Sequence, residues 1–197
     1  MMGIALDRSP PLETPPKPQP IALPWPPLRF DSPSVALRRW GVMPGDPDTL
    51  VAAWSDRDVA RWTSVPDVRT REYAAVWLAG EGGRRNRGVA LDLAITESDL
   101  PEVVVGEIGL VLVEPERRWA EVGYWLFPEW RGQGRASKAL ELFSEWSLRE
   151  LPIERLFART HVHNPTSGSA AKRAGYALAG ELPQGIQVWV IDAPRSL

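Results

Sequence analysis

The stretch AEVGYWLFPEWRGQGRASKAL, Ala120 to Leu140, changes its periodicity halfway. Up to Phe127 it alternates: Ala120, Val122, Tyr124 and Leu126 fall on one face of a strand, and Trp119, Glu121, Gly123, Trp125 and Phe127 on the other. Pro128 ends ladder pairing. From Gly134 onward Ala136, Leu140, Phe143, Ser147 and Leu151 recur every three or four residues, with Ala139 and Trp146 beside them, which is the buried face of a helix. A strand therefore passes into a helix through Arg-Gly-Gln-Gly-Arg. The first amides of such a helix have no partner within it and carry partial positive charge, so the helix start is a ready anion site. Gly132 and Gly134 let a ligand reach the main chain with no Cβ in the way, and Arg131, Arg135 and Lys138 add charge around it. Phosphate or pyrophosphate suits that position. A tight turn with solvated arginines would satisfy the same pattern.

Around this stretch the 197 residues suffice for one domain with a full core. Composition is that of a globular protein, 44% apolar and 24% charged. No apolar run reaches membrane-span length, since VVVGEIGLVLV is broken by Glu107 and ends at Glu114. MMGIALDRSPP lacks a signal peptide's basic start and apolar segment, and there is no cysteine, which together point to a cytoplasmic protein without a membrane partner. A net charge of -2 argues against a nucleic-acid partner.

Half of the 20 prolines lie between Pro10 and Pro33, so residues 1–33 read as an extended tail. Its PxxP spacing at Pro15 and Pro18 suits either a proline-recognising partner or a surface-packed leader, and Ile21, Leu23, Trp25, Leu28 and Phe30 place its second half on the body. Residues 34–193 form the domain and 194–197 a short end. Within the domain SVALRRW reads as a strand. DPDTLVAAWSD, DVARWTSV and TREYAAVWLAG read as helices, and GVALDLAIT, VVVGEIGLVLVE and WAEVGYWLFP as an antiparallel meander. After the long helix come a strand, IERLFARTHVH, a helix in SGSAAKRAG stopped by Gly175, and a strand pair, YALAG and IQVWVID. The fold class is a mixed α/β sheet in a single domain.

GxxxxGK[ST] is absent, as is an early GxGxxG, which excludes a P-loop and a Rossmann site. Arg131-x-x-Gly134-x-Ala136 instead resembles the (Arg/Gln)-x-x-Gly-x-(Gly/Ala) signature of the GNAT acyltransferase superfamily, and Glu121-Val-Gly-Tyr124 ahead of it resembles the RimJ/RimL-like branch. A second stretch agrees: Asn164, Ser167, Gly175 and Tyr176 in NPTSGSAAKRAGY match that branch's N-x2-S-x7-G-(Phe/Tyr). The resemblance covers Val35 to Ile191 and implies a mostly antiparallel sheet splayed between two parallel strands, here Trp119 to Phe127 and Ile153 to His163, with acetyl-CoA in the opening. It implies that main-chain groups of Leu126 and Phe127 pair with the pantetheine arm. Arg131, Gly132, Gln133, Gly134, Arg135, Ala136 and Ser137 would surround the pyrophosphate, and Asn164 would hold the pantetheine amides.

Acetyl transfer to an amine needs a neutral amine at the thioester carbonyl, a donor for the oxyanion and a proton for the thiolate. An α-amino group (pKa about 8) demands less of a base than a lysine (about 10.4). Glu121 is the candidate base, since its strand face shares Trp125 and Phe127 and partial burial would favour proton uptake; a structural glutamate bonded to a neighbour is the competing reading. By resemblance Ser167 is the proton donor to the coenzyme sulfur, with helix capping its competing role. Many family members carry a tyrosine seven residues after the asparagine; here Ala171 stands there, and Tyr176 reads as core. His161 and His163, the two histidines, read as a pocket wall with no metal site, His163 serving as a reserve base. Trp62 lies where such proteins border the acceptor, with burial as its alternative role. The segment after Tyr176 is shorter than the acceptor loop of ribosomal-protein acetyltransferases. The expected activity is N-acetylation of a protein N-terminus or a small amine; a silent acyl-CoA-binding module, a nucleotide switch and the question of a homodimer stay open.

Overall fold

The computed structural model describes residues 22–27 and 29–194; Pro15, Pro18, Ile21 and Leu28 lie outside the described residues. The strands are β1 (Arg29–Asp31), β2 (Ala36–Arg39), β3 (Leu91–Thr96), β4 (Val104–Glu114), β5 (Trp119–Leu126), β6 (Arg155–His161), β7 (Ala177–Leu182) and β8 (Ile186–Asp192). They make one sheet in the order β1-β2-β3-β4-β5-β6-β8-β7. The helices are α1 (Asp46–Ser55), α2 (Arg57–Trp62), α3 (Arg71–Ala79), α4 (Glu81–Asn86), α5 (Arg135–Glu150) and α6 (Pro165–Arg173). None of these is long and apolar enough to cross a membrane.

Every neighbouring pair of strands is antiparallel except β5 and β6, which run parallel. That pair matches only at Trp119–Arg155, Ala120–Leu156 and Glu121–Phe157, and then the two strands part. The sheet is thus mixed, mostly antiparallel and splayed at the two expected strands. From Val122 onward no strand among the described residues pairs with that side of β5.

Each face of the sheet carries its own core. Leu140 and Phe143 of α5 and Ala170 and Ala171 of α6 pack with Leu110, Val122 and Leu156 on one face. Phe143 and Leu140 are fully buried, each stabilising the fold by about 1.5–3 kcal/mol. On the other face Leu50 and Trp54 of α1 and Ala74 of α3 cover Ala94 and Val104. A buried fork pins this second layer: Arg38 donates to Asp46 at 2.9 and 2.7 Å, and Asp46 also accepts from the amides of Gly41 and Met43.

Three local features differ from the sequence expectation. Residues 29–31, inside the segment read as tail, pair with β2. Helix α4 forms in EGGRRN despite two glycines, because Arg84 donates to Trp77 O and bonds Glu81, while Leu23 N donates to Arg85 O. Helix α6 begins at Pro165, ahead of the SGSAAKRAG segment; proline supplies the φ of a first helical residue and lacks only an amide that would go unpaired there.

Candidate active site

The turn between β5 and α5 holds Gly132 at φ 79° and Gly134 at φ 78°, the left-handed region that side chains other than glycine's disfavour. A Cβ built on either meets nothing within 4 Å, so the main chain there is uncovered. Gly134 caps α5 without any side-chain hydrogen bond, and the first helical bond runs from Lys138 N to Gly134 O at 3.0 Å. The amides of Arg135, Ala136 and Ser137 precede it and have no partner among the described residues. They border a cavity of about 420 Å³ that runs along the gap beside β5.

The basic residues around this start are tied by different bonds. Arg131 donates to Leu126 O at 3.0 Å and to Asp58 at 2.7 Å, which fastens α2 to the turn. Arg135 turns to Glu97 at 2.9 Å, also bonds Gln133, and lies over the Trp130 ring. Lys138 pairs with Glu141. Gln133 itself is exposed and does not border the cavity. Arg173, at the end of α6, reaches across to Ser137 Oγ at 3.2 Å and lines the cavity. The sequence reading missed it, since only packing of α6 beside α5 brings it there.

Main-chain polarity along β5 depends on its pairing with β4. Phe127 N donates to Val105 O and Phe127 O accepts from Trp130 N, so both of its main-chain groups are taken and neither faces the gap, contrary to the expectation for that residue. The alternation of an antiparallel ladder turns those of Leu126 and Tyr124 the other way, toward the gap; Leu126 O meets Arg131 there.

Asn164 and Ser167 stand across the gap from Tyr124. Asn164 occupies the cap position of α6, but its Oδ1 accepts from Thr166 and caps no amide. Ser167 Oγ caps nothing either; it donates to Tyr124 Oη at 3.0 Å, and Tyr124 Oη donates to Ser167 O at 2.8 Å. Burial pushes the Tyr124 phenol up to about 12, with the Ser167 bond opposing. Tyr124 is a second residue the sequence reading left out of the site, because alternation alone put it on the core face.

These residues also border a second cavity, of about 640 Å³, on the α1–α3 side of the sheet; Trp62, Tyr124, Trp125, Asn164 and Ser167 line both. Trp62 is half-buried and stacks against His161, whose Nδ1 accepts from His163 N. Tyr176 is buried away from the site and bonds Ser144 at 2.7 Å; burial raises its phenol strongly. Among the described residues no group of three or more His, Asp or Glu is placed to hold a metal.

Three carboxylates, Asp92, Glu107 and Glu121, border this second lobe. Glu121 gives both oxygens to Arg159, at 2.8 and 2.7 Å, with its side chain 9% exposed. Glu107, opposite Trp125, accepts from Trp125 Nε1 at 3.1 Å. Burial pushes the Glu107 carboxyl up to about 7, opposed by the indole bond.

The family model of the acetyltransferase (GNAT) domain matches residues 35–177. A ribosomal-protein-serine acetyltransferase of Escherichia coli (strain K12) is 31% identical over 117 residues, 59% of this chain and 64% of that protein, so the match spans less than two thirds of that relative. Among solved structures, the ribosomal-protein-S5-alanine acetyltransferase from Vibrio fischeri superposes with a TM-score of 0.71 at 15% identity, over 84% of this chain and 96% of that one. The spermidine N-acetyltransferase from Vibrio cholerae, in complex with CoA and spermine, gives 0.67 at 15% identity, over 82% and 97%. Both share the fold.

Proposed function

We propose, from the premise that the chain belongs to the acetyltransferase (GNAT) domain family, that it transfers an acetyl group from acetyl-CoA to a primary amine. One observation carries the reading: unpaired amides at the start of α5 open onto a cavity that follows the β5–β6 gap and meets a second lobe at Tyr124 and Ser167.

The amides of Arg135, Ala136 and Ser137, with Arg173 beside them, bind the diphosphate through aligned N–H dipoles and one guanidinium. Main-chain groups of Leu126 and Tyr124 pair with the pantetheine arm as an added strand would, and Asn164 holds it from the α6 side. This brings the thioester to the junction of the lobes, with the acceptor amine arriving through the wider one. Holding the two reactants there makes the attack effectively unimolecular. Ser167 gives its hydroxyl proton to the leaving thiolate and takes up the proton that the acylated nitrogen sheds, while Tyr124 accepts from it and fixes its position. Amines of two kinds fit: a protein N-terminus, as the names of the ribosomal-protein relatives suggest, and a small polyamine, as in the spermine complex.

The test is a panel of N-terminal peptides and small amines with acetyl-CoA, read by release of free thiol. Thiol release that depends on one class of amine supports the reading. A thermal shift with acetyl-CoA but no thiol release from any amine would replace it with a silent binding module.

A further inference from the structure

Three carboxylates border the acceptor lobe, Asp92, Glu107 and Glu121, and their surroundings differ. Glu121 is engaged through both oxygens by Arg159, an ion pair that proton uptake would have to break. It sits at the last β5 residue still paired with β6, where the strands part. Glu107 accepts from the neutral Trp125 indole where Glu121 is held by a guanidinium, and its side chain borders the lobe. The Trp40 indole N–H, buried and unpartnered, stands near it without reaching hydrogen-bond geometry.

We propose that Glu107, and not Glu121, takes the proton of the acceptor amine, while the Glu121–Arg159 pair is a positioning element that fixes where β5 and β6 separate. This rests on the acetyltransferase reading above. Charges reach Glu107 from every side: Glu81 and Arg84 of α4, Asp92 of β3, the Glu121–Arg159 pair of β5 and β6, and Arg61 of α2 at the rim of the lobe. Glu81, Asp92 and Glu107 share the single guanidinium of Arg84. Burial first, then Glu107 and Glu81, raise Asp92 well above an ordinary carboxyl. Asp92 also lies one strand further from the gap.

The step balances. The acceptor's ammonium gives one proton to the Glu107 carboxylate and becomes a neutral nucleophile, whose nitrogen bonds to the thioester carbonyl carbon. As the C–S bond breaks, the nitrogen's second proton reaches sulfur by way of the Ser167 hydroxyl. Glu107 returns its proton to water through the open lobe. A group that must be ionised to act, with burial holding it up to about 7, gives activity that falls as pH drops through that value.

The experiment is the pH profile of kcat/KM for wild type, Glu107→Gln, Glu121→Gln and Trp125→Phe, with acetyl-CoA thermal shift as a parallel readout. The wild type shows an acidic limb near 7. Glu107→Gln lowers kcat by about 10²-fold or more, removes the limb and keeps the shift. Glu121→Gln lowers activity but keeps the limb where it was. Trp125→Phe removes the hydrogen bond that favours the carboxylate, so the limb moves to higher pH; this variant decides the matter if Glu107→Gln does not fold. A limb that survives Glu107→Gln, disappears in Glu121→Gln, or ignores Trp125→Phe overturns the assignment. A wild type without turnover on any amine overturns the acetyltransferase reading beneath it.

Discussion

Replacing Gly134 by valine separates two consequences of the turn geometry. At φ 78° a residue with a Cβ costs about 1–2 kcal/mol, and a β-branched one more. A Cβ there meets no protein atom within 4 Å, so the backbone conformation is the source of the stability loss. For a chain of this size about 1–2 kcal/mol lowers Tm by roughly 2–8 °C. The same open space is where the diphosphate would lie against the amides of Arg135 to Ser137, and the isopropyl group would occupy it. Acetyl-CoA at 100 times its Kd should stabilise the wild type by about 2.7 kcal/mol, a rise of roughly 5–11 °C. Differential scanning fluorimetry with and without acetyl-CoA reads both effects. The variant should melt a few degrees lower and show almost no ligand-induced rise. A lowered Tm with the full wild-type rise would refute the placement of the diphosphate at this turn.

Arg173→Ala should weaken acetyl-CoA about tenfold by isothermal titration calorimetry, the value of one charge-assisted hydrogen bond of about 1.5 kcal/mol, without lowering Tm; an unchanged Kd would remove Arg173 from the phosphate site. Tyr176→Phe leaves the buried Ser144 hydroxyl without its partner and should cost about 1–3 kcal/mol in urea unfolding while acetyl-CoA affinity stays constant. Because the folded state holds the Glu107 proton up to about 7, against 4.5 in the unfolded chain, the folded state binds more protons between those values and wild-type stability falls as pH rises through that window. Glu107→Gln removes this titration, so its stability relative to wild type should increase from pH 4.5 to above 7, by a margin on the order of 3 kcal/mol; a pH-independent difference would contradict the buried carboxyl.

The strand–turn–helix at the centre of the site is legible because two periodicities meet within one stretch and the glycines between them have a steric reason to be there. Asn164 and Ser167 are legible only through their spacing, which family resemblance supplied. Side-chain alternation along β5 assigns faces, yet it is silent on which main-chain groups are already spent; the β4 register decides that, turning the groups of Tyr124 and not those of Phe127 toward the gap. Glu107 and Glu121 present the same kind of face in sequence. What distinguishes them is Arg159, a partner on a strand 38 residues away. Arg173 meets Ser137 only once α6 packs beside α5, and α4 exists because tertiary bonds outweigh the cost of its two glycines.

The central claim, that the free N–H groups opening α5 hold the diphosphate of coenzyme A in the β5–β6 gap, is tested most directly by backbone amide NMR during titration with coenzyme A. Saturable shifts at Gly134, Arg135, Ala136 and Ser137, with the amides of Leu126 and Tyr124 following at the same midpoint, are the predicted result. Coenzyme A binding that leaves Gly134 to Ser137 unmoved while shifting amides elsewhere in the sheet would contradict it.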